Sequence, residues 1–235
     1  MIIMPEGDVK GTFDEAANDY DNLITRLTPF YEELQRAILD ALPFSKTDPI
    51  EVLDLGVGTG ELTLKVLESY PASVVLGVDF SDRMVGIAKK KLVRYEDRAS
   101  YLEEDFRRLS FKRKFDAVVS TLSIHHLDDE DKRTLYLKIY GYLKDRGCFF
   151  NGDRIKTKST PITEMYEARW HDYLKSQGLT ESELEAIIAK SRQEDKPSSL
   201  GDQLTWLREA GFSGVECPVR YYNYAVFGGY KRSSR

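Results

Sequence analysis

Glu51-Val52-Leu53-Asp54-Leu55-Gly56-Val57-Gly58-Thr59-Gly60 runs from a short apolar strand, through alternating glycines, into the start of a helix. Such a turn does two things. It lets the backbone approach a ligand with no Cβ in the way. It also aims the unpaired N–H groups of a helix start at that ligand. Glu61–Tyr70 carries the helix, and Pro71 closes it. Val74–Val78 is a second, β-branched run, and Asp79 ends it 19 residues after Gly60. An acid at that place accepts hydrogen bonds from both hydroxyls of a ribose and repels a 2′-phosphate. The spacing is GxGxG, whereas a dinucleotide turn reads GxGxxG. Strand, glycines, helix and acid together predict a ligand-binding turn rather than a bare tight one.

The same alternation continues outward. Ser81 is placed to cap a helix to about Arg94, followed by a short strand near Ser100–Leu102. Phe115–Ser120 is a fourth strand, Asp129–Leu143 a helix with an acidic first turn, and Gly147–Gly152 a fifth strand. Strands alternating with helices predict a parallel sheet covered on both faces. Upstream, the apolar residues of Phe13–Leu42 recur at helical spacing, and Pro29 divides them into two helices. After Asp153 the alternation stops. Residues 162–193 read as two helices, the second opening on the capping box Thr180-Glu181-Ser182-Glu183. Residues 194–199 are a polar break. Ser199 caps a helix ending near Ala210, and two strands, Gly214–Arg220 and Tyr222–Gly228, close the chain as a hairpin.

Composition narrows the class. The 235 residues carry a net charge of -5 and are 41% apolar, as expected for a globular protein. An acidic total argues against a non-specific grip on nucleic acid. The basic stretch Arg107-Arg108 and Lys112-Arg113-Lys114 reads as a solvated loop. Two distant cysteines, Cys148 and Cys217, predict neither a disulfide framework nor a cysteine metal site. With no apolar run of membrane-spanning length, the expectation is a cytoplasmic protein with no membrane partner.

At this point the residues resemble a known family. Residues 51–60 look like motif I of class I S-adenosylmethionine-dependent methyltransferases, and Leu76-Gly77-Val78-Asp79-Phe80-Ser81 like their post-I segment. Glu104-Asp105-Phe106 is similar to their acidic motif after the third strand, and Phe115–Ser120 to the strand of motif IV. Phe13-Asp14…Ala17…Tyr20-Asp21 resembles the leading helix of small-molecule members. The last helix and Tyr224-Ala225-Val226-Phe227 resemble their closing helix and hairpin. The resemblance implies a Rossmann-like α/β fold, a doubly wound seven-stranded sheet in the order 3-2-1-4-5-7-6 with the last strand antiparallel. It implies one domain over residues 1–235. Cap helices 13–42 and a helical insertion 156–199 would cover a core formed by 47–155 and 200–230.

The resemblance also implies roles. The cofactor is S-adenosyl-L-methionine. Gly56, Gly58 and Gly60 would lie at its methionine moiety, Asp54 at the ammonium, and Tyr20 at the carboxylate. Asp79 would take the ribose, and Phe80 and Met84 would lie against the adenine. Asp105 and Phe106 would bond the adenine edge, and Leu122 or Ser123 would sit beside the methyl group. Direct in-line displacement needs position and desolvation more than covalent chemistry.

Ser123-Ile124-His125-His126-Leu127 follows the fourth strand, at the sheet edge where ligands bind. His125 is the candidate general base and His126 a candidate substrate contact, against the plainer reading of packed histidines. A metal held by this pair with His171 is not expected, because adjacent histidines lack the usual ligand spacing. Tyr166, Trp170 and Tyr173 recur on one helical face, so Tyr166 and Trp170, with Arg169 and Tyr222, are candidate substrate contacts. The expected partner is a small-molecule methyl acceptor, and a homodimer is compatible with the sequence. The alternatives are a methyltransferase of tRNA or protein, and a cofactor-binding protein that modifies the cofactor or lacks transfer chemistry. A nicotinamide dehydrogenase is disfavoured by the GxGxG spacing and the terminal hairpin.

Overall fold

The structure, a computed structural model, describes residues 20–233. The reading of Phe13–Asp19 as helix lies outside the described residues. Pro29 does mark a break: α1 spans Tyr20–Leu27 and α2 spans Tyr31–Asp40. Phe30 between them takes a left-handed φ of 59°. The next elements are β1 Glu51–Leu55, α3 Glu61–Ser69, β2 Val74–Asp79, α4 Asp82–Lys91, β3 Ala99–Glu103 and β4 Phe115–Thr121. Then come a 3₁₀ turn at Ile124–His126, α5 Asp129–Tyr142, β5 Leu143–Arg154, α6 Thr160–Ser176 and α7 Glu181–Glu194. The chain closes with α8 Leu200–Glu209, β6 Ser213–Tyr221 and β7 Tyr224–Tyr230.

The seven strands form one sheet in the order β3-β2-β1-β4-β5-β7-β6. The first five pair in parallel, and β7 runs antiparallel to both β5 and β6. Alternate residues of each strand feed opposite faces. Val52, Ala117, Val119 and Phe150 pack with Leu34, Ile38 and Val66 of α2 and α3 on one side. Leu53, Val118 and Phe149 pack with Tyr136, Ile139 and Leu207 of α5 and α8 on the other. Burial on both faces explains the unbroken apolar run Ala117-Val118-Val119.

The helix starts are built as the sequence predicts. Ser81 accepts from Met84 N, Ser199 from Asp202 N, and Thr180 and Glu183 complete a capping box. The predicted fifth strand is too short: β5 begins at Leu143, which pairs with Phe115, and an irregularity containing Arg146 at φ 64° separates that pair from the regular pairing that starts at Cys148. Helices α6 and α7 lie over the carboxyl edge beside α1. Trp170 Nε1 donates to Leu27 O at 2.8 Å, and Lys196 N donates to His125 O at 2.8 Å. Among the described residues no helix is long and apolar enough to cross a membrane.

Candidate active site

Three glycines of the turn have positive φ, and each has its own reason. At Gly56 (φ 76°) an added Cβ would meet the Ser123 side chain, so the loop after β4 closes directly over the turn. At Gly60 (φ 88°) a Cβ would press on Leu92 and Ala88, where α3 packs beside α4. At Gly58 (φ 52°) no atom lies within 4 Å of the would-be Cβ. That open side faces a cavity of about 300 Å³.

Asp79, at the carboxyl end of β2, pins the turn. Its Oδ2 accepts from Gly58 N at 2.9 Å and its Oδ1 from Ser81 N at 3.0 Å. Phe80, Met84, Asp105 and Phe106 line the same cavity, as do Gly56, Gly58, Tyr20, Leu122 and His126. Asp105 is turned onto Arg107, whose Nε lies 2.8 Å from Oδ2. Partial burial works against its ionised form, but the Arg107 hydrogen bonds and charge hold its carboxyl below the usual range. Asp54 and Gly60 do not line the cavity. Asp54 lies beneath the turn, 1% exposed, and accepts from Thr63 Oγ1 at 2.6 Å. Burial pushes its carboxyl up to about 7, with the Thr63 bond opposing and the Asp79 charge adding.

Helix α2 contributes two cavity residues that the sequence reading did not single out, Tyr31 and Gln35. Gln35 Oε1 and Thr121 Oγ1 are buried with no hydrogen-bond partner. Both residues line the cavity, and such atoms cost free energy until something pairs with them. Helix α1 is tied over the turn by Asp21, which accepts from Thr59 Oγ1 at 2.5 Å and pairs with Lys91 at 2.6 Å.

A second cavity of about 140 Å³ lies under the caps. It shares Tyr20, Leu122 and His126 with the first. Leu122 has a left-handed φ of 50°, an uncommon strain for a leucine, at the junction of the two. The apolar wall includes Ile24, Leu27, Ile187 and Trp170. At its polar end His125 Nδ1 donates to Asp153 Oδ1 at 2.5 Å, and His125 N donates to Asp153 Oδ2 at 3.0 Å. His125 Nε2 lies 3.5 Å from Asp195 Oδ1. Arg154 pairs with Asp195 at 2.5 Å and with Glu167 at 2.7 Å, and stacks 4.3 Å from the Trp170 ring.

These charges decide the histidines. Burial disfavours a charged His125, but Asp153 and then Asp195 outweigh it and push the ring up to about 9. Both ring nitrogens of His125 are turned to carboxylates, Nδ1 to Asp153 and Nε2 to Asp195. His126 moves the other way, down to about 4, through burial and the neighbouring His125 charge, with Asp195 opposing.

The aromatic stripe divides. Trp170 is 5% exposed and lines the second cavity. Tyr166, one turn earlier, reaches only the rim, where its ring lies 5.2 Å from that of Tyr222. Tyr222 is 37% exposed and Arg169 points to solvent, and neither lines either cavity. The expected contacts from Tyr166, Arg169 and Tyr222 are therefore not assembled, because α6 presents only its Trp170 edge inward. Asp153 could have been found from its place at a strand's carboxyl end. Asp195 had no such signal, since it lies in a stretch that reads as a polar break.

Residues 52–147 match the family described as a methyltransferase domain. Along nearly its whole length the chain is similar to carboxy-S-adenosyl-L-methionine synthases. It is 25% identical over 222 residues to that of Nautilia profundicola, covering 93% of each chain. It is 27% identical over 224 residues to that of Campylobacter hominis, covering 92% of each. Its fold matches phosphoethanolamine N-methyltransferase 2 of Haemonchus contortus, solved with S-adenosyl-L-methionine, at a TM-score of 0.69 and 19% identity. That match covers 94% of this chain and only 57% of the other, so the chain spans little more than half the length of that structure. Strand order and glycine turn agree with these likenesses: residues 52–147 are similar to a methyltransferase domain, and the fold is that of the solved methyltransferase. S-adenosylmethionine, the cofactor the sequence leads one to expect, is the one that these relatives and this neighbour name.

Proposed function

We propose that this chain transfers the methyl group of S-adenosylmethionine to a small-molecule acceptor by direct in-line displacement. The observation that carries this reading is the junction of the two cavities at Tyr20, Leu122 and His126. In this reading the nucleoside lies against Phe80 and Met84, with its ribose at Asp79. The methionine end lies under α1 and α2, where Gln35 Oε1 and Thr121 Oγ1 accept from its ammonium. The sulfonium then sits beside Leu122, and its methyl faces the second cavity. A space of about 140 Å³ under two sets of cap helices suits a metabolite better than a folded RNA or protein.

Transfer itself asks little of the protein beyond alignment and exclusion of water. Tyr20 and Leu122 set the approach, while the Trp170 and Ile187 wall keeps the acceptor dry. The test is calorimetry with S-adenosylmethionine, followed by incubation with metabolite, tRNA and protein panels. The expected products are S-adenosylhomocysteine and a methylated metabolite. Methylation confined to tRNA or protein would overturn the acceptor class.

A second reading comes from the relatives, whose name says that they make carboxy-S-adenosyl-L-methionine. There the cofactor is itself the product. Mass spectrometry separates the two: a carboxylated cofactor without S-adenosylhomocysteine favours the second reading.

A further inference from the structure

Three side chains from two separate elements converge at the polar end of the second cavity. His125 and His126 occupy the 3₁₀ turn after β4, and Asp195 is the residue that ends α7. His125 Nε2 lies 3.5 Å and His126 Nδ1 3.7 Å from the same atom, Asp195 Oδ1. All three donor atoms lie within 4.8 Å of one another. A tetrahedral zinc-type ion with bonds of about 2.0–2.1 Å sets its ligands roughly 3.4 Å apart. The two separations sit close to that edge length.

The layer behind these atoms is also in place. Asp153 Oδ1 takes the Nδ1 proton of His125, which leaves Nε2 as the atom turned to Asp195. Asp153 is itself held by His125 N and by Asn151 Nδ2 at 3.1 Å. A carboxylate behind the far nitrogen is how ligating imidazoles are oriented. Arg154 grips Asp195 through the other oxygen, Oδ2, at 2.5 Å, and so fixes where Oδ1 points. His171 plays no part in this group. The third arm that adjacent histidines lack in the sequence is supplied by Asp195, folded back from the end of α7.

We infer that His125 Nε2, His126 Nδ1 and Asp195 Oδ1 bind a divalent transition-metal ion of the zinc class, with its fourth position open to the second cavity. All three residues line that cavity, and His126 also lines the cofactor cavity. Two nitrogens and one carboxylate oxygen, with a fourth position left over, are the donor set of a catalytic rather than a structural zinc site. The ion would take the place of the His125 Nε2–Asp195 contact and of the 3.4 Å contact of His126 Nδ1 with Glu194 O. Its role rests on the methyl-transfer reading; its binding does not. In that role an acceptor hydroxyl would take the fourth position, its proton released to bulk solvent as it binds and before the cavity excludes water. The oxygen then bonds to the methyl carbon as the carbon–sulfur bond breaks, and the bonding pair stays on sulfur as a neutral thioether.

The test uses the full chain, stripped with a chelator and titrated with Co²⁺ and with Zn²⁺. The expected result is saturation at one ion per chain, with the visible bands of tetrahedral Co²⁺. His126→Ala keeps the Arg154–Asp195 pair, and circular dichroism checks its fold; it should lose saturable binding. Asp153→Asn should weaken binding by about 10–100-fold, the usual effect of removing a partner behind a ligand. Absence of saturable binding in the parent, or equal affinity in parent and variants, overturns the site. Calorimetry of S-adenosylmethionine on the stripped chain reads the cofactor assignment separately. A chain that binds Co²⁺ at this site but not S-adenosylmethionine defeats the methyl-transfer reading and leaves the ion site standing.

Discussion

Asp79→Asn tests the cofactor assignment most directly, because one carboxylate is given two tasks. In the free chain its oxygens receive Gly58 N and Ser81 N, at 2.9 and 3.0 Å. In the complex it also receives the ribose hydroxyls. An asparagine keeps one acceptor oxygen and presents an NH₂ group to the second amide, where a donor would face a donor. The ribose loses a charge-assisted bond worth about 1.5–3 kcal/mol. Re-ordering the loosened turn on binding costs roughly 1 kcal/mol more, on the order of fixing one residue's backbone. The sum, about 2.5–4 kcal/mol, corresponds to a dissociation constant raised roughly 70- to 900-fold. Salt should change this little, since Asp79 is 7% exposed. Isothermal calorimetry with S-adenosylmethionine and S-adenosylhomocysteine measures it, and thermal melting confirms that the variant is folded. An affinity within about threefold of the parent in a folded variant would falsify the placement of the ribose at Asp79.

Asp54 gives a pH signature. Burial raises its folded-state value from 3.8 to about 7, so the folded chain holds this proton more tightly than the unfolded one. Its contribution to stability is complete below 3.8 and is lost as pH rises through about 7. A rise of that size makes the loss at most about 4 kcal/mol. Urea unfolding of the parent and Asp54→Asn across this range should show the extra slope in the parent alone; parallel profiles would refute it. Gly228→Ala should destabilise the sheet by at least about 2 kcal/mol, because its Cβ would meet Phe149 O at 1.9 Å across the β5–β7 pairing. An unchanged urea midpoint would show that the backbone there yields. Trp170→Ala removes the bond to Leu27 O and the stack with Arg154, at a cost of about 3 kcal/mol. Hydrogen exchange should speed up in α6 and α7 while β1 and β4 stay protected; uniform loss of protection would mean that the caps and sheet unfold together.

Much of the sheet was legible because its signals are local. A strand buried on both faces reads as an apolar run, and its boundaries are marked by Gly56, Pro71 and Ser81. Pro29 divided the leading helices for the same reason. The cap was less legible. The spacing of Tyr166, Trp170 and Tyr173 identifies a helical face, but not how far along that face its neighbours reach. Trp170 meets Leu27 and Arg154, whereas Tyr166 lies past the end of α1 and packs on the exposed Tyr222. His125 was placed correctly at the sheet edge, yet its charge state depends on Asp153 and Asp195, 28 and 70 residues later in the chain. No local pattern carries a contact between residues so far apart.

The two ends of the site share one construction. Asp79 ends β2 and reaches to the turn that follows the neighbouring strand β1, taking Gly58 N. Asp153 lies near the end of β5 and reaches to the turn that follows its neighbour β4, taking His125 N and Nδ1. In each pair a strand-end carboxylate fixes a loop at the end of the adjacent parallel strand, where backbone N–H groups would otherwise lack partners. Parallel register brings these ends level, so an acid on one strand is always within reach of its neighbour's turn. The glycine turn advertises its partner because the acid follows at a familiar interval. The histidine turn relies on the same geometry without a glycine pattern to mark it. Both cavities are therefore products of the parallel sheet itself, and Leu122, strained between them, sits where the two pinned loops meet.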